Sequence, residues 1–146
     1  MTLDWRSVPP DGGTRYEWAN DAVRVTTPTS FTDGALNVVE DTLKPGFHLA
    51  RHHHKRMTEI FYVLDGEVSF VFDDRRVDAM HGMAVNIAPG EHHEVFTESG
   101  GRLITIFAPG GFDLYLAEVA EIVAAGQDDD ASMTRLGHKY DIWPDD

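Results

Sequence analysis

Between Thr14 and about Ala108 the chain is cut into short runs of β-branched and aromatic residues separated by turn-forming ones. Val23 and Val25 alternate with polar neighbours, Ala35 to Leu43 is mixed but strand-like, and Ile60-Phe61-Tyr62-Val63-Leu64 is unbroken. Further runs lie at Met83–Ile87, Glu94–Thr97 and Leu103–Phe107. Many short strands with frequent turns argue for a sandwich or barrel. Asp65-Gly66 stands between Ile60–Leu64 and the alternating Val68, Phe70 and Phe72, and is predicted to turn a hairpin, because glycine accepts positive φ.

Beyond Pro109-Gly110-Gly111 the period changes. Phe112, Tyr115, Leu116, Val119 and Val123 share one helical face, with Glu118 and Glu121 on the other. Asp113 falls in the first turn, where negative charge suits the helix N-terminus. One helix is predicted over about 112–125, closed by Gly126 and lying on one end or side of the barrel. Asp128-Asp129-Asp130 opens an acidic tail region over 126–146 and reads as a solvated loop.

The 146 residues suit one domain, with a barrel core over about 14–108, and can bury enough surface to fold without disulfides. There is no cysteine, which excludes thiolate metal sites and thiol nucleophiles and fits a reducing, cytoplasmic setting. Met1-Thr2-Leu3-Asp4-Trp5-Arg6 lacks the apolar run of a secretory signal, and no stretch is long enough to span a membrane. A net charge of −13 repels phosphate backbones and anionic lipids, so neither nucleic acid nor membrane is an expected partner. The unbroken run Ile60–Leu64 is that of a strand covered on both faces, and a homodimer is expected.

His52 and His54 fall on one face of an extended segment, with His53 turned away. Glu59 follows across a short turn. Two imidazoles and a carboxylate suit a divalent transition metal and leave positions open for substrate. A further histidine from a distant strand would give a fourth ligand.

The segment Gly46-x5-His52-x-His54-x4-Glu59-x6-Gly66 resembles the first motif of the cupin superfamily at every fixed position. Gly82-x5-Ala88-x-Gly90-x2-His93-x3-Thr97 is similar to the second, with Ala88 where proline is usual and Thr97 where asparagine is usual. Pro89 is placed to stiffen the same turn. Glu59–Glu67, Pro109-Gly110-Gly111-Phe112 and the late Lys139-Tyr140-Asp141-Ile142 are similar to segments of small quercetin-dioxygenase-like cupins.

The resemblance implies an all-β, double-stranded β-helix or jelly-roll barrel with a short C-terminal helix. It further implies one divalent metal per chain (Fe, Mn, Ni, Co, Cu or Zn) held by His52, His54, Glu59 and His93. His92 and Glu94 are the candidate acid–base residues, and Phe47, Phe61, Phe72 and His48 the candidate lining of a substrate pocket. The expected activity is a dioxygenase-type oxidation of a small aromatic or enolisable compound. The alternatives are a non-redox metal-dependent isomerase, cyclase or lyase, or a cupin that binds a small molecule without turnover.

Overall fold

The computed structural model describes residues 6–145, so residues 1–5 of the N-terminal reading and residue 146 of the acidic tail lie outside the described residues. The strands are β1 (Thr14–Glu17), β2 (Asp21–Thr27), β3 (Asn37–Leu43), β4 (His48–His53), β5 (Thr58–Val71), β6 (Arg76–Met80), β7 (Ala84–Ile87), β8 (His93–Phe96), β9 (Gly101–Ala108) and β10 (Trp143–Pro144). Two helices, α1 (Phe112–Ala124) and α2 (Asp130–Lys139), precede β10.

All pairings are antiparallel, and they follow one path that β5 divides into two layers. On one side β1, β2, β3, β9, β5 and β7 are neighbours in that order. On the other the order is β10, β4, β8, β5, β6. Val63 and Leu103 of the first layer pack with Val68, Phe70 and Val95 of the second in one cluster, each 0–2% exposed. Period-two alternation puts these residues inside and their neighbours outside. The result is the all-β jelly-roll arrangement that the cupin resemblance implies.

The predicted hairpin at Asp65-Gly66 is corrected. The chain does not reverse there: Asp65 and Gly66 continue the pairing with β9, opposite Arg102 and Gly101, after a register shift beyond Val63. This is the corner at which β5 leaves one layer and enters the other. A bulge and a glycine at φ 77 supply the bend. Local sequence is the same for a corner and a hairpin; the difference lies in how long the strand continues to find partners.

Helix α1 forms where predicted. Leu116 and Val119 are buried, and Phe112 and Tyr115 pack on a second cluster made by Val23, Val25, Val39 and Phe107. Val123 is 44% exposed, so the apolar stripe ends a turn earlier than the periodicity predicts. Asp113 is buried and accepts hydrogen bonds from the Thr29 N–H at 3.0 Å and the Thr29 hydroxyl, tying α1 to the 3-10 turn Thr29–Thr32.

The acidic run is also corrected. Asp129 is the N-cap of α2, accepting from the Ser132 N–H at 2.9 Å and its hydroxyl at 2.7 Å, and Asp130 begins the helix. Only Leu136 and Gly137 of α2 are buried. The signal for this helix was therefore capping chemistry rather than an apolar stripe. Among the described residues no helix is long and apolar enough to cross a membrane.

Candidate metal centre

Strand β4 carries His52 inward, and His54 follows just past its end; both are buried. His53, between them, points to the outer face. Glu59 leads the inward series Glu59, Phe61, Val63 of β5. His93, fully buried at the start of β8, lies opposite His52 in the register. Four side chains from three strands and a turn thus converge, with one ligand atom from each lying within 4.8 Å of the others.

The outer nitrogens fix what the inner ones can do. His52 Nδ1 donates to the Ala50 carbonyl at 2.8 Å, His93 Nδ1 to Glu91 at 2.9 Å and His54 Nδ1 to Asp141 at 2.8 Å. Each bond holds the proton on Nδ1 and leaves the Nε2 lone pair facing inward, as metal ligation needs. Glu59 Oε1 lies 3.1 Å from His93 Nε2 and 3.6 Å from His54 Nε2. His54 Nε2 is buried and, among the described residues, has no hydrogen-bond partner. A buried polar atom without a partner marks a missing neighbour, and the donor set suits the borderline divalent ions of the first transition row.

Electrostatics agree with a cation at this point. Burial opposes the Glu59 carboxylate, but the neighbouring His54 and His93 imidazoles outweigh it and hold its pKa down to about 2. Burial, with His93 close by, pushes His52 down to about 4 and keeps it neutral. At His54 burial opposes the imidazolium, but the Glu59 carboxylate and the Asp141 carbonyl outweigh it and hold its pKa above the ordinary value. The site retains one anion and favours one positive charge, which a divalent ion supplies more strongly than a proton.

The tetrad opens on a cavity of about 580 Å³, within the range of small-molecule sites. His52, His54 and Glu59 line it, with Phe47, Phe61, Phe107, Phe112 and Leu116 among its apolar walls. Two predicted lining residues lie elsewhere. Phe72 packs on the core cluster with its ring centroid 6.4 Å from that of His93, and His48 pairs with Glu94 on the surface at 2.9 Å. That pairing also turns Glu94 away from the cavity. His92, the other candidate acid–base residue, stacks on His53 at 4.1 Å on the outer face and donates to Asp145. His53, His92 and Asp145 form a second convergent group, but the Arg51 guanidinium, 2.8 Å from Asp145, already supplies its cation.

Sequence reasoning missed Asp141, Asp21 and Asp41. The Asp141 carboxylate accepts the N–H groups of Lys55, Arg56 and Met57, each at 2.8 Å, and so fixes the turn between His54 and Glu59. Asp21 and Asp41 line the cavity. Burial raises both carboxyl pKa values, and for Asp41 the neighbouring Asp21 charge adds to it, pushing it up to about 9. Parity would have found this pair, since Asp21 is in phase with Val23, and Asp41 with Val39.

Residues 39–108 match the Cupin_2 family, described as cupin domain. No curated protein matches the chain by sequence. KdgF from Halomonas sp. superposes with a TM-score of 0.67 at 17% identity, over 76% of this chain and 99% of its own. Ectoine synthase from P. lautus gives 0.63 at 19%, over 77% and 78%. Pac13 of Streptomyces, a nucleoside dehydratase, gives 0.60 at 16%, over 74% and 84%. At these identities the likeness speaks for the fold alone. The family match spans both histidine motifs, the fold is shared with these solved structures, and the tetrad is assembled inside the barrel: residues 39–108 are a cupin domain.

Proposed function

We propose that this cupin is a metal-dependent enzyme acting on a small, largely apolar organic compound that presents an oxygen atom to His52, His54, Glu59 and His93. The observation that carries the reading is the unpartnered Nε2 of His54, beside the Glu59 carboxylate, on the wall of a 580 Å³ cavity. When bound, a divalent ion there supplies Lewis-acid polarisation of that oxygen. The chain orients the substrate between aromatic walls, excludes water from the reacting bond, and holds the three imidazoles as lone-pair donors through their carbonyl partners.

Non-redox chemistry by an isomerase, cyclase or lyase is the first reading, ahead of the dioxygenase. Such reactions need a proton donor or acceptor beside the polarised oxygen, and two cavity carboxyls, Asp21 and Asp41, are available. A synthase and a dehydratase among the structural neighbours agree with it. The dioxygenase is the second reading, favoured by the rings of Phe47, Phe61, Phe107 and Phe112, which suit an aromatic substrate. The deciding experiment takes protein of measured metal content and screens phenolic and enolisable compounds with and without oxygen. Turnover that survives anaerobically with Zn is expected. Oxygen consumption matched to substrate loss would instead establish the second reading, and an absence of bound metal after reconstitution would remove both.

We also propose a homodimer. The outer face of β5 and β9 carries Ile60 beside Ile106 and Tyr62 beside Ile104, and Tyr62 is 42% exposed. This apolar patch is what the unbroken run Ile60–Leu64 places outside the barrel.

A further inference from the structure

The inward face of β2 and β3 breaks its own apolar pattern. Along β2 the inward positions are Val25, Val23 and then Asp21; along β3 they are Val39, Asp41 and Leu43. The register sets Val23 opposite Asp41 and Asp21 opposite Leu43, so the two carboxyls are diagonal neighbours on one face. Asp41 Oδ1 is out of solvent and, among the described residues, has no hydrogen-bond partner. Among the described residues Lys44 is the cation that acts on the pair, through Asp21, and its ammonium group is shared with the Trp18 carbonyl at 3.2 Å and Glu17 at 3.8 Å. Next to the pair β9 presents Leu103 and Thr105, and α1 presents Tyr115, Leu116 and Val119 to the cavity. The other charged lining groups apart from Glu59 are Arg51 and Asp130. Two carboxyls in such a wall cannot both ionise at low cost; one proton held between them resolves the conflict. The orphaned His54 Nε2 marks the same cavity independently as a place where a ligand sits.

We propose that Asp21 and Asp41 share one proton at neutral pH and that Asp41 delivers it to a molecule in the metal cavity. The proposal rests on the metal-dependent reading above and deepens it. The substrate class is a small apolar compound with one oxygen at the tetrad and a second basic centre, a departing hydroxyl or an enolate carbon, near β3. In the step the Asp41 O–H bond breaks and either an O–H bond forms on the departing hydroxyl, whose C–O bond breaks so that it leaves as water with the bonding pair, or a C–H bond forms on the enolate carbon. The pair passes from one negative charge to two, and this drives it to regain a proton from solvent, or from the substrate in the reverse direction.

The test needs neither metal nor substrate, so its failure is separable from failure of the metal reading. Infrared difference spectra at pH 7 should show a carboxylic-acid C=O band that is lost in Asp41→Asn and kept in Asp113→Asn. Phenyldiazomethane, a small apolar probe, is then added at pH 7. It takes a proton onto its diazo carbon, and the resulting cation esterifies the carboxylate with loss of dinitrogen. Mass-spectrometric mapping should find the ester on Asp41 or Asp21, and Asp41→Asn should abolish it. Absence of the acid band overturns the shared proton. A band without esterification, or esterification confined to other residues, reduces the pair to a hydrogen bond between β2 and β3 and overturns the delivery. Asp21→Asn removes the partner charge but leaves Asp41 buried, so its band should persist at pH 7 and titrate at lower pH than in the wild type, which separates loss of the proton in the first variant from misfolding.

Discussion

The imidazole of His54 donates through Nδ1 to the backbone carbonyl of Asp141, 87 positions later, at 2.8 Å. Asp141 is also a non-glycine residue at φ 65, and its carboxylate grips the turn that follows His54. One residue near the C-terminus therefore sets both the tautomer of a proposed ligand and the spacing from His54 to Glu59. Asp141→Ala is expected to cost about 2–4 kcal/mol in urea unfolding, from lost charge-assisted hydrogen bonds and a stranded Met57 N–H. Metal affinity, read by calorimetry, should fall roughly 10–100-fold. Asp141→Asn keeps an acceptor and tolerates the positive φ, so it should lose less on both measures. The hydrogen bonds also hold the Asp141 pKa below its ordinary value. Its contribution is thus complete above the unfolded pKa and is lost as pH falls through the folded one.

Metal loading should appear in thermal stability. An ion that binds the folded state alone stabilises by about 2.7 kcal/mol at 100 times its dissociation constant, roughly 5–10 °C for a chain of this length. Stripped protein given Zn, Ni or Mn should show this rise. Glu59→Gln removes the anion of the tetrad and should abolish most of it while leaving an intact barrel by circular dichroism. An equal shift in both proteins would place the ion elsewhere.

Gly66 and Gly82 share nearly the same backbone angle, φ 77 and 87, but not the same surroundings. A Cβ on Gly66 would stand 2.3 Å from the Gly100 carbonyl oxygen, whereas one on Gly82 meets nothing within 4 Å. Gly82→Ala should therefore cost only the left-handed strain of about 1–2 kcal/mol. Gly66→Ala adds a clash between two backbones at the corner of β5 and should cost more than about 3 kcal/mol, or prevent folding. Comparing their unfolding midpoints tests whether the corner is as close-packed as described.

The proposed dimer makes a similar demand on Tyr62. Tyr62→Arg places a charge on the outer patch and touches no inward position, so it should yield monomers in sedimentation with the melting of the barrel little changed. A wild-type monomer at all concentrations would remove the dimer.

How far the fold was legible depended on how local its causes are. His52, His54 and Glu59 could be grouped because alternation and motif spacing act within a few residues. The strands at Val23–Val25 and Leu103–Phe107 were legible for the same reason. Asp65-Gly66 was misread because a bulged corner and a hairpin ask the same of two residues. The second cupin motif tolerates Thr97 because its hydroxyl donates to the Glu67 carbonyl at 2.7 Å and accepts from the Gly100 N–H at 3.0 Å, partners that only the folded chain assembles. Asp141 was beyond reach because its partners lie some 85 positions away. His48 and Glu94 find each other on the surface, which no strand parity could have indicated.

The Asp21–Asp41 pair should also leave its mark on stability. Burial and the mutual charge raise the Asp41 pKa to about 9 in the folded chain, against about 4 when unfolded. A group raised in this way contributes its full stability below the unfolded pKa and loses it as pH climbs through the folded one. Between pH 4 and 9 the folded chain binds more protons here, so stability declines by up to about 1.4 kcal/mol per pH unit from this group. Asp41→Asn keeps the shape and removes the titration. The difference in unfolding free energy between variant and wild type, measured at pH 5, 7 and 9, should move steadily in the variant's favour. A difference that stays constant with pH would mean that the two carboxyls are already ionised, and that Lys44 neutralises the pair.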